Sequence, residues 1–173
     1  MNALFYLSFV FFMPLSILWA QEPTFNGLTI QDSSVLALVP DWVKPILEKS
    51  DLAKQHKILQ THNPFYFEQD FTGDKTIDIA FMVQNTTDQS KGLMIINSDK
   101  NLIYIIGCGS PTDLGTSITG LQSWFVFREK SIRSPGGKTQ AITAPGILVR
   151  GKRNIAMVVY WSRNKYKTYL ADE

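Results

Sequence analysis

Five oxygen-bearing side chains recur at every second position between Asp70 and Asp78: Asp70, Thr72, Asp74, Thr76 and Asp78. Counted from Asp70, they fall at positions 1, 3, 5, 7 and 9. Oxygen donors at 1, 3, 5 and 9, with a backbone carbonyl at 7, are how a short loop wraps a hard cation such as calcium. Alternate side chains of a tightly curled loop point to its centre, so three carboxylates would meet there. Position 6, where a sharp turn favours glycine, is Lys75. A positive φ at a non-glycine residue carries strain, and the amine would bring a charge beside the cation. The same residues also have a purely structural use. Asp70 and Asp74 can accept bonds from loop amides, as turn-forming side chains do, while Asp78 caps the start of the next strand. Lys75 makes the turn the expectation. No cofactor is called for elsewhere, and calcium is the one this loop could take.

Other reactive groups are few. His56 and His62 are the only histidines, and Cys108 is the only cysteine. Neither histidine stands in a zinc-ligand spacing such as HExxH. There is no G-x-S-x-G elbow, phosphate-binding glycine-rich lysine motif or dinucleotide fingerprint. Cys108 lies between Gly107 and Gly109 after an apolar run, so it reads as a buried small hydrophobe, with a thiol nucleophile as the alternative. Glu68 and Asp70, two apart, would share one side of a strand. A pair of acids could serve hydrolysis, but acids leading into a turn are more often solvated.

The stretch "DFTGDKTID" resembles the calcium loops of the FG-GAP and VCBS repeat families, written D-F-N-G-D-G-x-x-D. It matches at Asp70, Phe71, Gly73, Asp74 and Asp78. Those families repeat the loop in propeller blades, whereas this chain has one copy and too few residues for a propeller. The chain further resembles a group of uncharacterised exported bacterial proteins. The resemblance rests on the single loop, "KGLMII" from Lys91, "GCGSPTDLG" from Gly107, Trp124 in "SWFV" and Trp161 in "VVYW". It covers roughly residues 65–170 and implies export, but no activity.

Export is also read from the residues themselves. Residues 1–20 contain no Asp, Glu, Lys, Arg or His and end Leu18-Trp19-Ala20 before polar Gln21-Glu22-Pro23. The pattern predicts a secretory signal peptide, with cleavage expected after Ala20. A retained anchor is the alternative at that length, but no flanking Lys or Arg cluster favours it. Residues 21–33 form a polar lead-in, and 34–173 are read as one domain, large enough for a substantial core. A lone cysteine leaves stability to that core. The 17 Lys and Arg against 15 Asp and Glu give a formal net charge of +2. That total is no footprint for nucleic acid. Arg150, Lys152 and Arg153 read as a solvated hairpin tip.

The elements that must position the loop follow from periodicity. Val39, Trp42, Val43, Ile46 and Leu47 have helical spacing, which predicts one short amphipathic helix over roughly 41–49, packed through Trp42, Val43, Ile46 and Leu47. Beyond it, short apolar or alternating runs separated by turn clusters predict strands over 77–84, 92–97, 102–107, 122–128, 155–161 and 166–170. The runs at 93–96 and 102–106 are apolar at successive positions, so both faces of those strands must be covered. The helix would cover one face and a loop-rich segment the other, with 108–120 an ordered loop. "AMVVYW" and "YKTYL" form a hairpin, and Tyr160, Trp161, Tyr166 and Tyr169 make cross-strand packing rather than a ligand shelf. The fold class expected is α+β, a mainly antiparallel sheet of about six to eight strands with one short N-terminal helix packed on it. The function expected is a secreted or periplasmic non-enzymatic domain that binds a protein or envelope component, without nucleic acid or a stable membrane anchor. The alternative is an envelope hydrolase using Cys108 or the acids Glu68 and Asp70.

Overall fold

The structure is a computed structural model that describes residues 33–152 and 155–172. The expected signal peptide, nearly all of the lead-in and Arg153 lie outside these residues. Three short helices come first: α1 (Ser33–Leu38), α2 (Lys44–Lys49) and α3 (Asp51–Lys54). Eleven strands follow among the described residues: β1 (His56–Ile58), β2 (Tyr66–Gln69), β3 (Asp78–Asn85), β4 (Lys91–Asn97), β5 (Leu102–Gly107), β6 (Ser123–Phe127), β7 (Ser131–Arg133), β8 (Thr139–Ala141), β9 (Gly146–Arg150), β10 (Ala156–Ser162) and β11 (Lys165–Ala171).

The strands build two main antiparallel sheets and a small hairpin. In the first sheet β4 lies between β3 and β5, and β1 and β2 divide the other edge of β3. Ile58 pairs with Val83, and Tyr66 with Phe81. The second sheet runs β11-β10-β9-β6. The two sheets face each other across a core that includes Met82, Leu93 and Ile95 from the first and Trp124, Val149 and Met157 from the second. The opposite face of the first sheet, with Ile79, Phe81, Val83, Met94 and Ile96, is covered by Val35, Val39, Val43 and Leu47 of the helical segment. The opposite face of the second sheet, with Leu148, Val158 and Tyr160, is covered by the β7–β8 hairpin through Ile132.

This corrects the expected architecture of one sheet with one helix. The fold is dominated by sheets, and the helices are only six, six and four residues long. The successive apolar residues of β4 are covered on both faces, as their pattern requires, and so are those of β3, but β5 lies at the sheet edge, with Leu102 exposed and Ile103 to Ile105 only half-buried. The second cover is another sheet rather than a loop-rich segment. The runs Gly146–Val149 and Ala156–Tyr160 are likewise buried along their length, which demands a further cover, and β7–β8 supplies it. The single expected helix is broken by local chemistry. Pro40 keeps Val39 out of the helical region and ends α1. Pro45 is confined to the first turn of α2, where a missing N–H is tolerated. Ser50 is extended, ends α2, and starts α3 by accepting a 3.2 Å bond from Ala53 N–H at its hydroxyl. Val43 and Leu47 are fully buried, but Trp42 and Ile46 are only partly so. Trp42 stands at the rim of an open groove rather than at the centre of the packing.

Candidate functional site

The aspartate loop is the connection of the β2–β3 hairpin, closed between the paired residues Gln69 and Asp78. Its own backbone uses the carboxylates. Asp70 Oδ1 accepts from Gly73 N (2.6 Å) and Asp74 N (3.1 Å), and Oδ2 accepts from Lys75 N (2.9 Å). Asp74 Oδ1 accepts from the amide (2.8 Å) and hydroxyl (2.5 Å) of Thr76. Asp78 is fully buried. Its Oδ2 accepts from Phe71 N (3.0 Å) and Thr72 N (3.2 Å), and its Oδ1 from Ser98 N (3.4 Å). The side-chain to backbone bonds expected of a turn are therefore present. Lys75 adopts φ 74° and Gly73 φ 79°, so position 6 takes the left-handed conformation that glycine would adopt without strain.

The electrostatics of the three acids differ. Burial pushes the Asp78 carboxyl from its ordinary 3.8 up to about 6, outweighing the Phe71, Ser98 and Thr72 amides that favour the charged form. The Thr76 hydroxyl beside Asp74 holds that carboxyl below its ordinary value.

Pairing and turns bring to the loop residues that its spacing does not reveal. Asn97, buried at the end of β4, directs its amide at Asp74 Oδ2 (3.4 Å) and Thr72 Oγ1 (3.5 Å), while its Oδ1 accepts from Lys100 N (3.0 Å). The only sequence signal for it is a polar residue closing an apolar run. Tyr104, Trp161 and Tyr166 stand behind the loop, packed edge to face with centroids 4.9–5.5 Å apart. Trp161 and Tyr166 are directly paired across β10 and β11. Tyr160 and Tyr169 pack instead with the hairpin-covered face, so the four rings anticipated as one cluster divide between two faces. Burial raises the Tyr166 phenol pKa, reinforced by the loop carboxylates, with Asp78 the largest of them. Its hydroxyl is buried without a hydrogen-bond partner among the described residues. Thr72, Asp74, Asn97, Lys100, Tyr104 and Trp161 border a cleft of about 160 Å³. That is well below the several hundred Å³ of small-molecule pockets.

Among the described residues no three His, Cys, Asp or Glu side chains are grouped in a metal-holding arrangement. The oxygens at positions 1 to 9 still have a direct test. A weak extracellular-type site with a Kd on the order of 1 mM would stabilise the fold by about 1.4 kcal/mol at ~10 mM calcium, roughly 3–6 °C in Tm. The expected melting curve shows no calcium-specific rise beyond that given by magnesium or matched ionic strength. A rise of that size, abolished in Asp74→Asn, would make the loop a metal site.

Among the described residues no hydrogen bond joins the remaining candidates to one another. Cys108 has φ 51°, is half-buried, and places its thiol 3.9 Å from Val83 O. Burial pushes its pKa up to about 11. His56 is buried and donates from Nδ1 to Leu52 O at 2.8 Å, whereas His62 lies 3.0 Å from the Thr61 hydroxyl. Glu68 is exposed on β2. Compared with known proteins, the chain matches no family model, no curated protein and no solved structure.

Proposed function

We propose that this is an exported, secreted or periplasmic, non-enzymatic domain that acts by binding a protein or envelope component through its surface. The observation that carries the reading is the setting of Cys108. A thiol nucleophile must be a thiolate near neutral pH, with a base within reach. Here burial moves the thiol the other way, to about 11, against a backbone bond from Asn85 and with the Asp88 carboxylate adding to the rise, and its sulfur lies 3.9 Å from Val83 O. The apolar N-terminal run supports export. The rigid strand framework, with open grooves such as the one of about 540 Å³ beside Trp42, Ile46 and Leu102, suits a binding role.

Alkylation of Cys108 by iodoacetamide across pH tests the reading. The rate should climb through about pH 11, with no plateau near neutrality. A fast reaction that saturates near pH 7 would identify an activated thiol and overturn the proposal in favour of a hydrolase. Capture from periplasm or culture supernatant would then identify what the domain binds.

A further inference from the structure

The net charge of +2 conceals a division. Residues 121–173 carry ten Lys and Arg against three Asp and Glu, net +7, while residues 1–120 carry seven against twelve, net −5. The fold makes this a division in space. Every strand of the second sheet and of its covering hairpin comes from residues 123–171, whereas the described helices and the first sheet come from residues 33–107.

Strand pairing gathers part of the positive excess at one end of the second sheet. Arg150 pairs with Ala156 and with Ser123, and Ala156 pairs with Ala171. The end of β9, the starts of β6 and β10, and the end of β11 therefore lie together. Strand β7 returns to the same end, where Asp172 N donates to Arg133 O at 2.7 Å. The β7–β8 turn, with Lys138, continues beyond it. Arg133, Lys138, Arg150 and Lys152 thus share this end with the acids Asp172 and Asp113, the latter bordering the same cleft as Lys152. Two large aliphatic side chains are open to solvent here, Ile155 at 47% and Leu170 at 36% exposure.

We propose that this end of the second sheet docks on the surface of an anionic lipid bilayer. Four basic side chains against two acids leave this end positive, on a half of the chain that is itself net positive, which favours a negatively charged partner and draws it in at long range. The exposed aliphatic side chains select a partner with a hydrocarbon phase beneath its charges, which an acidic polysaccharide lacks. Docking of this kind is peripheral, and screening makes it salt-dependent. The inference goes beyond the proposed binding role and does not depend on the Cys108 alkylation profile.

Co-sedimentation with vesicles tests it, comparing mixed phosphatidylglycerol and phosphatidylcholine with phosphatidylcholine alone. All proteins carry the same N-terminal segment, so the difference between the two vesicle types reads the charged surface. Binding to anionic vesicles should exceed binding to neutral ones by about tenfold or more at low salt and fall as salt is added. Arg133→Glu with Lys138→Glu should remove that difference. Lys49→Glu with Lys54→Glu, which changes net charge equally on the helical layer, should preserve it. Ile155→Ser should weaken vesicle binding while leaving elution from heparin unchanged. Equal binding to both vesicle types would overturn the proposal, as would equal losses in the two double variants. Retention on heparin through Arg133 and Lys138 without vesicle binding would also overturn it, and would point to an acidic polymer instead.

Discussion

Asp78→Ala should lower the stability of the fold by about 3–5 kcal/mol, because three backbone N–H groups lose their acceptor, one in a buried bond and two in part-buried ones. Those groups belong to Phe71, Thr72 and Ser98. They tie the aspartate loop and the β4–β5 turn to the start of β3. Urea unfolding gives the measurement, and a loss below about 1 kcal/mol would show that the loop amides find other acceptors. The pH dependence has a defined sign. The folded carboxyl titrates at about 6, above its ordinary 3.8, so its stabilising contribution is fully present below 3.8 and is lost as pH rises through about 6. Relative to Asp78→Asn, which does not titrate, the wild type should lose about 1–3 kcal/mol between pH 4 and pH 7. A constant difference between the two proteins across that range would mean that the amide donors outweigh burial.

Phe71→Ala should cost about 3–5 kcal/mol as well, through a different mechanism. Phe71 is 1% exposed and belongs to the core between the two sheets, although it sits in the loop rather than on a strand. Removing its ring leaves a cavity that the flanking strands cannot fill. Equilibrium unfolding should show the loss without the pH signature of Asp78, since no titrating group is removed. A near-neutral value would place the loop's anchoring in its hydrogen bonds alone.

The strands were legible where periodicity and composition agreed. Strands β3, β4, β5, β10 and β11 lie within one or two residues of their expected limits, because long apolar runs bounded by turn residues leave few alternatives. The second sheet as a separate layer was not legible. A run apolar at successive positions states that both faces are covered, but not whether a helix, a loop or another sheet does the covering. The helices were harder still. Pro40 and Ser50 divide a single periodic pattern into short pieces, and tertiary burial of Val35, Val43 and Leu47 decides where each piece settles. At the loop, alternation identified Asp70, Asp74 and Asp78, and Asp78 was placed at the start of its strand. The contributions of Asn97 and Ser98 depend on the β3–β4 pairing, and that of Tyr104 on the facing sheet. No local pattern encodes either.

The double-sided burial of β3 and β4 has a consequence for how the chain selects its alignment. In a sheet with one wet face, a slip of one residue turns apolar side chains outward and is strongly disfavoured. Where Ile79 to Val83 lie opposite Gly92 to Ile96 and both faces are dry, a slip exchanges one apolar set for another. Hydrophobicity then gives little discrimination between registers. The marks that distinguish them are the exceptions to the pattern. Asp78 needs the amides of Phe71 and Ser98, and Asn97 needs Asp74 and Lys100. At Gly92 a Cβ would overlap the carbonyl oxygen of Ile106 on the neighbouring strand. Shifted by one position, the carboxylate would meet no donors and a side chain would collide with backbone. The few polar and glycine positions in an otherwise uniform apolar ladder thus carry the information that the apolar residues cannot.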